Sequence, residues 1–251
     1  MEYLHQIIGE FEQHSVEGIR FCFENGVNPN TEFQGRPLVY TLINMYLRSP
    51  KFKNCISLFV EYGLQFEDKA LLAVLLDDAV LLDKSIRNDP NLLNRKYSLN
   101  CAFTPIYKAS LLHICAEYNH LDCAKMLVQS GIDLNVKAGT DTYGFGGQTP
   151  IFHTVNQFNN NSIGVLQFLL EEKADLLLTL RGIIWGKGYE WETFIPAVNP
   201  ISYAMMGLLR QFQRTEEQIY EIVFLLLKAN DGIDYYPGNV PNKYLNPKTH
   251  R

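Results

Sequence analysis

The feature that most constrains this chain is a cadence that keeps returning. An apolar helical run is followed by a glycine or asparagine and then by an acidic or amide residue near the close. It ends as GVNPN at 26–30, after SVEGIRFCFEN, and as GIDLN at 131–135. Weaker copies end as YGLQFED at 62–68, NDPNLLN at 88–94, KADLLLT at 173–179 and GIDYY at 232–236. The runs are helical by their own spacing: Ile19, Cys22 and Phe23, then Ile56, Phe59 and Val60, then Ile222, Leu225 and Leu226 all fall at i, i+3, i+4. Gly26, Gly63 and Gly131 follow such runs where a left-handed residue closes a helix. Pro37, Pro150 and Pro200 stand where a first helical turn tolerates a missing N–H. Strand alternation is scarce, so the chain reads as stacked helical repeats.

Within one repeat the stretch His113–Cys123, HICAEYNHLDC, gathers histidines and cysteines, the ligands zinc prefers. The wider segment 110–135, SLLHICAEYNHLDCAKMLVQSGIDLN, gives these residues structural work instead. It resembles the ankyrin repeat. Leu112-His113 stand at that pattern's L-H, Cys115-Ala116 at A-A, Asn119-His120 at G-H, and Met126-Leu127-Val128 at L-L-L. Gly131 to Asn135 stand at G-A-D-V-N. The resemblance implies that His113 hydrogen-bonds backbone at the turn into the first helix and that His120 does so between the helices. It implies too that Cys115 and Cys123 are small fillers, a role free cysteine serves well. Starts similar to the family's T-P-L recur as RPLVYTL at 36–42, TPIFHTV at 149–155 and NPISYAM at 199–205. TPI at 104–106 offers a competing register, but Ser110 aligns everything downstream.

The expected fold is therefore all-α, an ankyrin-type α-solenoid of helix–turn–helix repeats with extended β-hairpin-like finger loops. It forms a single domain over 1–251, with units at 1–30, 31–67, 68–94, 95–135, 136–178 and 179–236 and a C-terminal tail at 237–251. Three fingers, from Asn94 to Ser110, Asn135 to Thr149 and Leu177 to Asn199, run longer than the family pattern allows. Insertions at one repeat position emerge on one edge, which predicts a raised wall beside the concave face. The longer segments at 43–54 and 206–221 read as extended helices, and NQFNNNSIG at 156–164 as a polar loop.

The fingers are aromatic. The first carries Tyr97, Phe103 and Tyr107; the second Tyr143 and Phe145; the third Trp185, Tyr189, Trp191 and Phe194. Trp and Tyr dominate binding hot spots because they bury large area at small entropic cost. Tyr143, Phe145, Trp185, Tyr189, Trp191 and Phe194, with Glu190 and Glu192 as rim charge, are the candidate partner contacts. The alternative is that the aromatics pack on one another as a satellite core.

Other chemistry is scarce. GFGG at 144–147 lacks a preceding strand and a Gly-Lys-Ser/Thr ending, and no hydrolase or metalloprotease signature appears. No catalytic residue, cofactor or metal is expected. Net charge is −5 and pI about 5.7, with no Lys/Arg run, which argues against a nucleic-acid partner. The acidic balance favours a basic partner. The start MEYLHQIIGEFEQH is unlike a secretory signal, ALLAVLL at 70–76 is too short to span a bilayer, and five cysteines without CxxC pairing suit reduced thiols. The expectation is a monomeric cytoplasmic protein that binds another protein and is not an enzyme. A bacterial immunity protein masking a toxin is one specific case. Self-association is the alternative, and a ligand sensor or enzyme ranks below both.

Overall fold

The structure, a computed structural model, describes residues 2–101, 103–206 and 213–237. The chain begins with helices α1 (Glu2–Glu12) and α2 (Val16–Glu24), a short hairpin β1 (Glu32–Phe33) and β2 (Arg36–Pro37), then α3 (Leu38–Ile43) and α4 (Phe52–Glu61). Helices α5 (Lys69–Leu76) and α6 (Ala79–Asn88) follow. A second hairpin, β3 (Tyr97–Leu99) and β4 (Ile106–Ala109), leads to α7 (Leu111–Tyr118) and α8 (Leu121–Gln129). Beyond them come a 3-10 turn at Pro150–His153 and α9 (Ile163–Glu171). A third hairpin, β5 (Leu180–Trp185) and β6 (Thr193–Val198), precedes α10 (Pro200–Ala204) and α11 (Glu216–Asp231).

Two layers result. In one, α1 packs on α3, α5 on α7, α7 on the 150–153 turn, and that turn on α10. In the other, α2 packs on α4, α6 on α8, and α8 on α9. Apolar faces at helical spacing fill the space between, with Ile19, Cys22, Ile56, Phe59, Cys115, Cys123, Leu166 and Ile222 all fully buried. Four outer helices, α2, α4, α8 and α9, share one ending. At α4, Gly63 at φ 89° lets Leu64 N–H reach Phe59 O at 2.8 Å; at α9, Lys173 must adopt φ 64° to do the same work.

Several expectations need correction. The fold is mostly helical but not all-α, because three two-stranded antiparallel sheets are present among the described residues. Residues 43–54 are not one extended helix: α3 stops at Ile43 and α4 starts at Phe52, and the chain between turns inward. At 206–221 the described residues likewise form no single helix, since α10 ends at Ala204 and α11 begins at Glu216; residues 207–212 lie outside the described set. The segment 156–164 is no solvated loop. Asn156, Gln157 and Asn160 are buried, and Asn160 Nδ2 donates to Gln218 O at 2.9 Å. Of the tail at 237–251, only Pro237 falls within the described residues.

The inward turn before α4 delivers Arg48 to the centre of the molecule. Its Nε donates to Glu117 Oε1 on α7 at 2.8 Å, and its guanidinium lies 4.6 Å over the Tyr118 ring. The other carboxylate oxygen of Glu117 pairs with His153 Nδ1 and with Gln157 Nε2, each at 2.9 Å. The thiol of Cys101, in the second hairpin's loop, is 3.3 Å from Glu117 Oε1. Arg48, Glu117 and His153 are all almost wholly buried. Burial pushes a carboxyl up, but the charge of Arg48 and the bonds from His153 and Arg48 outweigh it and hold Glu117 below its ordinary value.

Removing one member strands the others. Arg48→Ala is expected to cost about 3–5 kcal/mol in urea unfolding, because a buried carboxylate loses its cation. Arg48→Met with Glu117→Leu should recover most of that. If the single variant is as stable as the parent, the network contributes nothing.

A pH effect follows from the same interior. Burial, helped by Arg48, lowers His14 to about 4; burial lowers His120 to about 4; and burial, then His153, lowers His113 well below 6.5. The unfolded chain takes up these protons as pH falls below about 6.5 while the folded chain does not. Stability is therefore full above that pH and falls towards pH 4, by up to about 1.4 kcal/mol per pH unit for each histidine. Glu117, its folded value depressed, adds loss below 4.5. Urea midpoints across this range check the slope; a flat profile would refute it.

Candidate functional site

The site is built by the second and third hairpins and the loop between them. In the third, Leu180 pairs with Val198, Ile183 with Ile195 and Trp185 with Thr193. Ile183, Trp185 and Ile195 share one face and are buried, Phe194 on the opposite face is exposed, and Leu180 and Val198 are buried at the base, so the ribbon is rooted in the core and exposes part of its second face. Backbone bonds then tie the three segments together. Gly139 N–H donates to Tyr107 O at 2.8 Å, Gly146 N–H to Gly182 O at 2.9 Å, and Gly186 N–H to Phe103 O at 3.3 Å. Two glycines are required by close approach. A Cβ on Gly146, at φ 106°, would lie 2.7 Å from Gly139 O, and one on Gly186, at φ 65°, would lie 2.4 Å from Trp191 Cδ1.

The base of the wall is pinned to the helices. His113 Nδ1 lies 2.8 Å from Ser110 Oγ and accepts from Ser110 N–H at 3.1 Å, closing the turn into α7. Its Nε2 lies 2.9 Å from Gln148 O, at the foot of the second segment. His120 Nδ1 reaches Val74 O on α5 at 2.6 Å, and Cys115 and Cys123 fill the helix interface. Thr104 and Tyr203 hydroxyls meet at 2.8 Å and join the second hairpin to α10.

The predicted site residues divide sharply. Trp185 is only 2% exposed and stacks on Phe103 at 5.3 Å, so it braces the hairpins and cannot touch a partner. Trp191 is half-buried and stacks on Tyr189 at 4.6 Å. Phe145, also half-buried, packs 4.7 Å from Phe194 and 6.1 Å from Tyr143. Tyr143, Tyr189 and Phe194 keep large exposed faces, Tyr143 at 71%. An Asx turn lifts Tyr143 out: Asp141 Oδ1 accepts the N–H groups of Tyr143 and Phe145, both at 2.9 Å. Glu190 and Glu192 are exposed at the tip, where Glu192 Oε2 accepts Gly188 N–H at 2.7 Å. The satellite core and the exposed face thus coexist on one ribbon.

The sequence reading missed the cations. Two clefts, of about 710 and 480 Å³, meet at Pro105, Tyr107 and Lys187. Lys108 lines the first and Arg36 the second. The acidic balance that predicts a basic partner lies on the helices, not here. A signal was available: residues 95–109 hold Arg95, Lys96 and Lys108 and no carboxylate.

Comparison with known proteins places the central segment. Residues 107–138 match the family model of the ankyrin repeat, so the chain carries an ankyrin repeat there. No curated protein sequence matches. Among solved structures the chain is similar to the ankyrin repeat domain of Bcl-3, described as a unique member of the IkappaB protein family. Identity is 17% and the TM-score 0.40, over 72% of this chain and 66% of that one, just under two thirds of its length. Among the described residues no helix is long and apolar enough to cross a membrane.

The division of the aromatics is testable. Trp185→Ala is expected to cost about 3–5 kcal/mol in stability through the cavity it leaves. Tyr143→Ala should change stability by less than about 0.5 kcal/mol. Equal urea midpoints for the two variants would show that Trp185 is not a brace.

Proposed function

We propose that this chain, an ankyrin-repeat protein, is a non-enzymatic module that binds another protein through its hairpin wall and the concave surface beside it. Ankyrin repeats mediate protein–protein interaction and present extended concave surfaces without a cofactor. The observation that carries the reading is the exposure of Tyr143, Tyr189 and Phe194 on segments held rigid from beneath by Trp185, Phe145 and the backbone bonds at Gly146 and Gly186. Rigid aromatic anchors lose little entropy on binding. Trp191 supports Tyr189, and Glu190 and Glu192 supply rim charge. The six units over 1–30, 31–67, 68–94, 95–135, 136–178 and 179–236 form the scaffold. The protein acts as a cytoplasmic monomer. A basic partner surface would meet the acidic helices, and a toxin-neutralising immunity protein is the specific case a neighbouring toxin gene would support.

A second reading has the same observation behind it. The exposed aromatics could bury one another in a symmetric dimer, which a solution mass of twice 28.8 kDa would reveal.

The test is capture from the native cell extract by the parent chain beside a Tyr143→Ala/Tyr189→Ala variant of equal helical circular dichroism. The variant is expected to lose at least about 2 kcal/mol of binding, roughly thirtyfold in affinity. Equal capture would move the site off the wall, and no captured protein would refute the reading.

A further inference from the structure

Charge is not spread evenly over this molecule. Segments 95–109, 136–148 and 179–198 hold six Lys or Arg against three Asp or Glu, an excess of three positive charges. The chain as a whole carries −5, so the remainder carries −8. On the helices several cations find carboxylates: Arg20 meets Glu61 at 2.7 Å, Lys53 meets Asp77 at 3.3 Å, and Arg87 meets Asp83 at 2.9 Å. Of the six cations just counted, only Arg95 does, against Asp68 and Asp89 at the edge of the helical stack. Arg36, Lys96, Lys108, Lys137, Arg181 and Lys187 are all exposed. Among the described residues none of these six forms an ion pair.

Three of these cations surround the two clefts. Arg36 lines one, Lys108 the other, and Lys187 stands at their junction with Tyr107. Lys108 Nζ lies 5.3 Å from the Tyr107 ring centroid, so its charge rests on an aromatic face rather than on a carboxylate. The one carboxylate in the lining is Asp141, and its Oδ1 is occupied by the backbone N–H groups of Tyr143 and Phe145. The floor is apolar, with Ile183, Ile184 and Phe145 in the larger cleft. The joined clefts thus offer positive charge at the rim and apolar area beneath.

Resting on the protein-binding reading, we infer that the occupant of these clefts is an acidic segment of the partner, with Asp or Glu side chains set against Lys108, Lys187 and Arg36 and an apolar or aromatic residue on the floor. Complementary charge steers encounter and fixes register, and its effect weakens with salt. A nucleic acid fits less well. A charge excess of three is small for a polyanion, and Glu190 and Glu192 stand exposed at the tip of the same wall.

The experiment pans a displayed library of random short peptides against the full chain. Lys108→Glu/Lys187→Glu is panned in parallel, with Lys53→Glu/Lys228→Glu as a control on the helical side. Lys108→Gln/Lys187→Gln serves if the charge reversal disturbs the circular dichroism. The parent and control are expected to enrich acidic peptides carrying an aromatic or aliphatic residue. The wall variant should lose them by at least about tenfold, and salt should weaken what the parent retains. Several outcomes would overturn the inference. Enrichment of neutral or basic peptides, or no enrichment while the captured partner still binds, leaves a protein-binding module with a different ligand. Equal retention of acidic peptides by the wall variant moves their site elsewhere. Displacement of the selected peptides by single-stranded DNA at lower concentration assigns the surface to nucleic acid.

Discussion

The rest of the structure depends on how Glu117 is satisfied. A carboxylate in the interior of a helical stack is costly unless it is paired and hydrogen-bonded. Here one oxygen meets Arg48 and the other meets His153 and Gln157. Each partner comes from a different part of the chain: the turn before α4, and the 3-10 turn and following segment before α9. An ordinary apolar interface between repeats would tolerate sliding. A buried four-way polar contact does not, because any displacement strands a charge. Arg48 also stacks on Tyr118, whose hydroxyl donates to Ile43 O at 2.7 Å, so the clamp fixes α7 against the end of α3 as well.

That clamp sits directly beneath the wall. Cys101, in the loop of the second hairpin, faces Glu117, and burial with the carboxylate's charge pushes its thiol up to about 12. At neutral pH it stays protonated and serves as a packing group, not a nucleophile. From this anchored base the three segments brace one another through Phe103, Trp185 and the amides of Gly139, Gly146 and Gly186. A surface that binds without a cofactor needs this stiffness, because each loop that must order on binding subtracts from affinity.

Much of this was legible in the sequence, and unevenly so. The ankyrin pattern at 110–135 carried the placements of His113, His120, Cys115 and Cys123, since each residue type there has one structural use. The length of the three connecting segments stood out only against the spacing that the ankyrin pattern implies. The fate of Trp185 was not, because burial of a tryptophan depends on which face of a ribbon it occupies, and that register is set by pairing with Thr193. Arg48 was missed for a different reason. Apolar residues on both sides favoured a continuous helix, but Ser49-Pro50 disfavours helical backbone at Ser49 and marked the break. The charge segregation was also within reach. Net charge over the whole chain hid it, and counting by segment exposes it.

The central claim is that three loops beside a stack of helices form one braced body, and amide hydrogen exchange tests it most directly. A braced wall predicts slow exchange at Gly139, Gly146 and Gly186, all three accelerating together in Trp185→Ala. Free-chain exchange at these glycines, with α7 amides still protected, would mean that the loops move independently over a rigid stack, and would contradict it.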